Sequence, residues 1–134
     1  MKNKFWIVIS IFWALLTTHL TTTSNLIFAE ENYLHAIFMN TAHFVFFGVQ
    51  ALLLYLSFSS AIISIFASSA FGYYIEVLQK TIPGRSYDLL DWIFDTLGAI
   101  IFVVIIKKYA QSPSHWWRWL HRRSNRQNSS RTRQ

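Results

Sequence analysis

The chain has 134 residues, of which 53% are hydrophobic, 18% aromatic and only 13% charged, a composition that excludes an ordinary soluble domain. It contains no cysteine, which excludes disulfide frameworks, thiol nucleophiles and thiolate metal sites together. The net charge of +6 belongs to the tail, where Lys107, Lys108, Arg118, Arg122, Arg123, Arg126, Arg131 and Arg133 follow the last apolar segment with no acid among them.

The first apolar segment, about 5–22, starts behind Lys2 and Lys4, is strongest from Phe5 to Leu16, and fades through Thr17, Thr18, His19 and Leu20. A bilayer core takes about 20 helical residues, so this segment reads either as a short span or as the h-region of a cleaved signal peptide. The small-x-small cleavage pattern is poor, because Ile27 stands two residues before Ala29, and a retained helix is preferred.

The second segment, about 36–58, is interrupted by Asn40, His43 and Gln50, and a tight turn around Ser57 to Ser60 leads into the third. The third, about 60–79, carries Ser64, Ser68, Ser69 and Gly72, small residues that let helices approach closely. The fourth, about 89–106, has Asp91 and Asp95 near its start and ends at Lys107 and Lys108.

Hydrocarbon cannot hydrogen-bond a backbone, and these segments lack the alternation of barrel strands, so they are expected to be helices. The expected architecture is all-α, a polytopic four-helix transmembrane bundle over 1–106 with a basic tail over 107–134. Basic residues flank the first and fourth helices, and an even number of spans puts both ends on one side, the cytoplasmic one. The loop with Glu30 and Glu31 and the loop 80–88 then lie outside.

Reading inward from the outer ends at about 1.5 Å per residue, His43 and Asp95 lie roughly 9 Å deep, with Glu76, Gln79 and Asp91 shallower. Ionisable side chains within a bilayer cost about 2.5–3.5 kcal/mol at its centre and usually face the bundle interior with a partner. Glu76, Asp91, Asp95 and His43 are therefore expected to converge, with Arg85 above them.

Plainer roles compete for several of these residues. Asp88 fits the N-cap of the fourth helix, with Asp91 as its first-turn acid. Glu76 stands four residues before Lys80, the spacing of a helical ion pair. Pro83-Gly84 fits the centre of a type II turn. His43 reads as a proton acceptor, a ligand or a polar helix contact, and His19 as incidental. No metal is expected, because the candidate ligands are scattered over three helices and no spacing such as H-E-x-x-H occurs. The stretch Ser114-His115-Trp116-Trp117-Arg118-Trp119-Leu120-His121-Arg122-Arg123 mixes tryptophan with cations and reads as an interfacial anchor on membrane lipids rather than a nucleic-acid site. Beyond Ser124 the polar run reads as disordered.

From Glu76 to Gly98 the chain carries E-x-x-Q, then I-P-G-R-S, then D-x-x-D-x-x-x-D-x-x-G. This block, together with His43-Phe44 in the second segment, resembles the VanZ-like family of bacterial membrane proteins, named after a teicoplanin-resistance protein. The resemblance covers roughly residues 34–106 and singles out His43, Glu76, Gln79, Pro83, Gly84, Arg85, Ser86, Asp91 and Gly98. Two departures stand out: Met39 and Asn40 replace an Asp-Lys pair of the family, and Asp95 replaces an asparagine.

The resemblance implies a bacterial plasma-membrane protein with a cell-envelope role, lowering glycopeptide sensitivity. Arginine matches phosphate or carboxylate bidentately. An outward-facing site of Arg85, Glu76, Gln79, His43, Asp91 and Asp95 is accordingly expected to bind an anionic or lipid-linked envelope ligand without a cofactor. The alternative is an enzyme on a lipid-linked substrate, with His43 or Glu76 as general base. Its nucleophile is not identifiable, since Ser86 is as readily a turn residue, so the binder is preferred. An ion or proton pathway is disfavoured, because the inner halves of the second and fourth segments are almost wholly apolar apart from Gln50.

Overall fold

In a computed structural model of the chain, which describes residues 2–23, 33–82 and 88–111, every regular element is a helix. The four are α1 (Lys2–Thr22), α2 (Tyr33–Phe58), α3 (Ala61–Gln79) and α4 (Leu89–Gln111). Their membrane-length apolar stretches, Lys4–Thr22, Ile37–Phe58, Ala61–Gln79 and Leu89–Tyr109, contain 19, 22, 19 and 21 residues. At about 1.5 Å per residue these reach roughly 30 Å, the thickness of a bilayer core. Met1–Val104 forms one compact unit, which contains all the packing described below, and α4 continues beyond it into the second unit.

The burial pattern is inverted relative to a soluble protein. Phe5, Phe12, Leu15, Ile62, Phe66 and Val104 face outward, whereas Ser10, Thr17, His43, Gln50, Ser64, Ser68, Glu76, Gln79 and Asp95 are buried. In lipid, apolar side chains gain nothing by hiding, and polar groups must find partners inside the bundle. The chain is a polytopic, all-helical membrane protein.

Interhelical hydrogen bonds fix the topology. Trp13 Nε1 donates to the Phe46 carbonyl at 3.0 Å and Gln50 Nε2 to Ser10 Oγ at 3.0 Å, so α1 and α2 run antiparallel. Ser68 Oγ donates to the Phe47 carbonyl at 2.9 Å, and the Trp92 indole donates to the Ser69 carbonyl at 3.1 Å. Together these give an up-down-up-down bundle in which α2 and α4 are parallel. Toward one end of the interior lies an apolar cluster, with Ala51, Ala99 and Val103 packed against Tyr55, Ala61 and Ile65. The polar cluster described below lies toward the other end.

The threonine-rich end of the first segment stays helical to Thr22, and its hydroxyls are satisfied by carbonyls one turn back: Thr18 to Ala14 at 2.8 Å, Thr21 to Thr17 at 2.8 Å and Thr22 to Thr18 at 2.6 Å. The α2–α3 turn is tight, as expected. Ser60 N-caps α3, and Ser59 takes φ 57°, a left-handed conformation that costs a non-glycine residue about 1–2 kcal/mol. Ser59→Gly should therefore leave thermal stability unchanged or raise it slightly, and a melt of the detergent-solubilised protein checks this. The fourth helix runs past its expected end at about 106 to Gln111. Hydropathy falls at Lys107, but the backbone ladder does not stop there, and a cation such as Lys108 in the last turn suits the negative helix end.

Candidate functional site

The site begins with a four-residue periodicity on α3. Ser64, Ser68, Gly72 and Glu76 recur one turn apart and all are buried, so they form a single stripe facing the neighbouring helices. Gly72 is what lets α4 bring a carboxylate to that stripe: a Cβ there would stand 2.5 Å from Asp95 Oδ2. Gly98 does the same between α4 and α2, since a Cβ at Gly98 would run into the Phe44 backbone carbonyl. The two glycines bring three helices close enough for short acidic side chains to meet.

They meet at His43. Its Nδ1 is 2.9 Å from Asp95 Oδ1, and its Nε2 is 3.8 Å from Asp91 Oδ2. Phe47, one turn along α2, stacks on the imidazole at 6.0 Å and 12°. Exposure is 2% for His43 and 0% for both Asp95 and Glu76, while the Asp91 side chain retains 17%. Asp91 thus forms the rim of the cluster and the other three its floor.

Glu76 is held from outside the membrane-length stretch of its own helix: Oε2 accepts the Asp88 backbone N–H at 3.0 Å. Asp88 is the N-cap expected of it, its Oδ1 accepting from the Leu90 N–H at 2.8 Å, and Asp91 lies in the first turn that follows. The carboxylate of Glu76 is turned inward to this amide rather than outward along the helix toward Lys80, so the i,i+4 pairing expected from spacing is not what occupies it.

Among the described residues, five buried side-chain atoms lack a hydrogen-bond partner, and three of them, His43 Nε2, Glu76 Oε1 and Asp95 Oδ2, belong to this cluster. One ligand-type atom from each of these residues lies within 4.8 Å of the others. The cluster therefore has spare acceptor capacity in a water-poor setting, where an unsatisfied polar group costs about 1–3 kcal/mol.

Of the sequence-predicted site residues, His43, Glu76, Asp91 and Asp95 are brought together. Gln79 is buried nearby, but its Nε2 donates to the Thr21 carbonyl of α1 at 3.1 Å, which ties two helices together at the same end of the bundle. Arg85 and Ser86, with the Pro83-Gly84 turn, lie outside the described residues, as do Glu30, Glu31 and the tail from Ser112 onward. His19 is exposed at the end of α1. Sequence reasoning missed Phe47 as the stacking partner of His43 and the Asp88 amide as the donor to Glu76. The first was signalled by an aromatic residue one turn from a buried histidine; the second, a backbone group, has no residue-type signal.

A family profile described as VanZ/LLP1 matches residues 4–111, a range that spans all four helices. No curated protein and no solved structure matches the chain.

Proposed function

The chain belongs to the VanZ/LLP1 family, and from that premise and the geometry of its buried cluster we propose that it binds a polar component of the bacterial cell envelope. The site opens at the outer face of the plasma membrane, both termini are cytoplasmic, and α1 is a retained member of the bundle. Occupation or masking of a lipid-linked or anionic envelope component then lowers sensitivity to glycopeptides such as teicoplanin.

The observation that carries this reading is the convergence of His43, Glu76 and Asp95, all essentially unexposed, inside helices of membrane length. Such groups are expensive in a bilayer, and a purely structural bundle has no need of three of them with unpartnered atoms. Arg85, which lies outside the described residues, is the expected contact for an anionic headgroup.

Expression in a Gram-positive host tests it. The intact protein should raise resistance to teicoplanin more than to vancomycin, and Arg85→Ala and Glu76→Ala, each confirmed as inserted, should lose that protection. An inserted intact protein that protects against neither antibiotic would sink the glycopeptide reading.

One observation favours a second reading. With Asp95 on Nδ1 and Nε2 unoccupied, His43 has the arrangement in which a carboxylate orients an imidazole as general base. In an enzyme of this kind His43→Ala abolishes turnover of the lipid-linked substrate yet largely spares its binding, whereas in a binder His43→Ala has no turnover to lose.

A further inference from the structure

We propose that His43, Glu76 and Asp95 form a binding site for a divalent transition-metal ion, with Asp91 at its open edge. The spacing of these residues along the chain gives no hint of this, because each comes from a different helix and only the fold assembles them.

The distances fit. Three atoms that all lie within 4.8 Å of one another enclose a point no more than about 2.8 Å from each, so side-chain shifts of well under 1 Å reach the roughly 2.0–2.2 Å of zinc–nitrogen and zinc–oxygen bonds. Asp91 Oδ2, at the rim, is 3.8 Å from His43 Nε2, too far for a hydrogen bond.

The outer partners also fit. A ligating imidazole typically has its other nitrogen fixed by a carboxylate, and ligating carboxylates are themselves hydrogen-bonded. An ion between His43 Nδ1 and Asp95 Oδ1, which are 2.9 Å apart, would take the place of the hydrogen bond there, with Nε2 facing the Asp91 carboxylate at 3.8 Å and Glu76 Oε2 held by the Asp88 amide. Glu76 Oε1 and Asp95 Oδ2 are buried and unpartnered, so both carboxylates have an oxygen to spare for the ion.

Charge points the same way. Ionised, Glu76 and Asp95 bring two negative charges into a low-dielectric bundle, and a divalent cation cancels both. One nitrogen and two or three oxygens suit zinc or manganese better than calcium or magnesium, which favour all-oxygen shells. The ion site stands whether or not an envelope ligand binds above it.

The test uses the full chain, purified in a non-ionic detergent, stripped with chelator and titrated with Zn2+ against a chromophoric competitor and with Co2+ by visible absorption. Saturable binding of one ion per chain, a rise in melting temperature and visible Co2+ d–d bands are expected. Asp95→Asn and Glu76→Gln, both close in shape to the native residue, should weaken binding by about 10–100-fold or more. Replacing His19, His115 and His121 with alanine should leave binding intact. Absence of saturable binding to the folded wild-type protein, or binding lost in that triple variant, would overturn the proposal.

Discussion

Asp95→Ala should destabilise the bundle by about 3 kcal/mol, read from reversible unfolding in mixed micelles, whereas Asp95→Asn should stay within about 1 kcal/mol of the native protein. Two magnitudes compete here. Hydrogen bonds within membranes average only about 0.6 kcal/mol by double-mutant cycles, because a loosened chain finds other partners. Removing one member of a buried pair costs about 3–5 kcal/mol when the orphaned group cannot reach water. The second case applies, because His43 is 2% exposed and roofed by Phe47, so Nδ1 has nowhere else to turn.

Asparagine avoids most of this penalty, since its carbonyl oxygen still accepts from the imidazole and its volume still fills the space opposite Gly72. Asp95→Asn therefore separates the two roles of the residue: the shape and the hydrogen bond survive, while the charge is lost. An Asp95→Ala variant as stable as the native protein would show that the His43–Asp95 contact does not hold α2 to α4.

The bundle was largely legible because the bilayer imposes strict terms: spans of about 20 apolar residues, helices only, and polar side chains gathered inward. Those terms sufficed to collect His43, Glu76, Asp91 and Asp95 at one level. They did not decide which atoms pair. His43 engages Asp95 closely and Asp91 only at 3.8 Å, although the two acids share one face of α4, and that choice follows from how the helices are rotated where Gly98 meets Phe44. Spacing alone also left Glu76 open, since it fits a helical pair with Lys80 as well as a turn toward the interior. The decisive partner, the Asp88 amide, is a backbone group that becomes available only once α4 starts where it does. Likewise the Nε2 of Gln79, a candidate ligand residue, is engaged by a carbonyl of α1 that no residue pattern advertises. The grouping of His43, Glu76 and Asp95 was hidden for the same reason, since ligand motifs are written along one helix and this cluster is drawn from three.

The rotation at Gly98 is itself testable, and Gly98→Val should have the largest effect of any single substitution, with most of the protein lost from the folded, monodisperse fraction. Overpacking commonly costs about 1–3 kcal/mol where a side chain can yield. At Gly98 the obstacle is the Phe44 backbone carbonyl, which moves only if α2 itself moves, and α2 carries His43 just before it. Parting α2 from α4 at this point also pulls Nδ1 away from Asp95, so the steric cost and the cost of a broken buried pair add. Gly72→Ala provides the contrast. Its new methyl would meet the end of the Asp95 side chain, 2.5 Å from Oδ2, and a carboxylate can swing aside where a backbone cannot. The folded fraction of Gly72→Ala should exceed that of Gly98→Val in the same detergent, while its ion affinity should fall because Asp95 has been displaced. If the order of folded fractions is reversed, then α3 rather than α2 sets the position of α4, and the pairing of Asp95 with His43 would be a consequence of the stripe on α3 instead of the contact at Phe44.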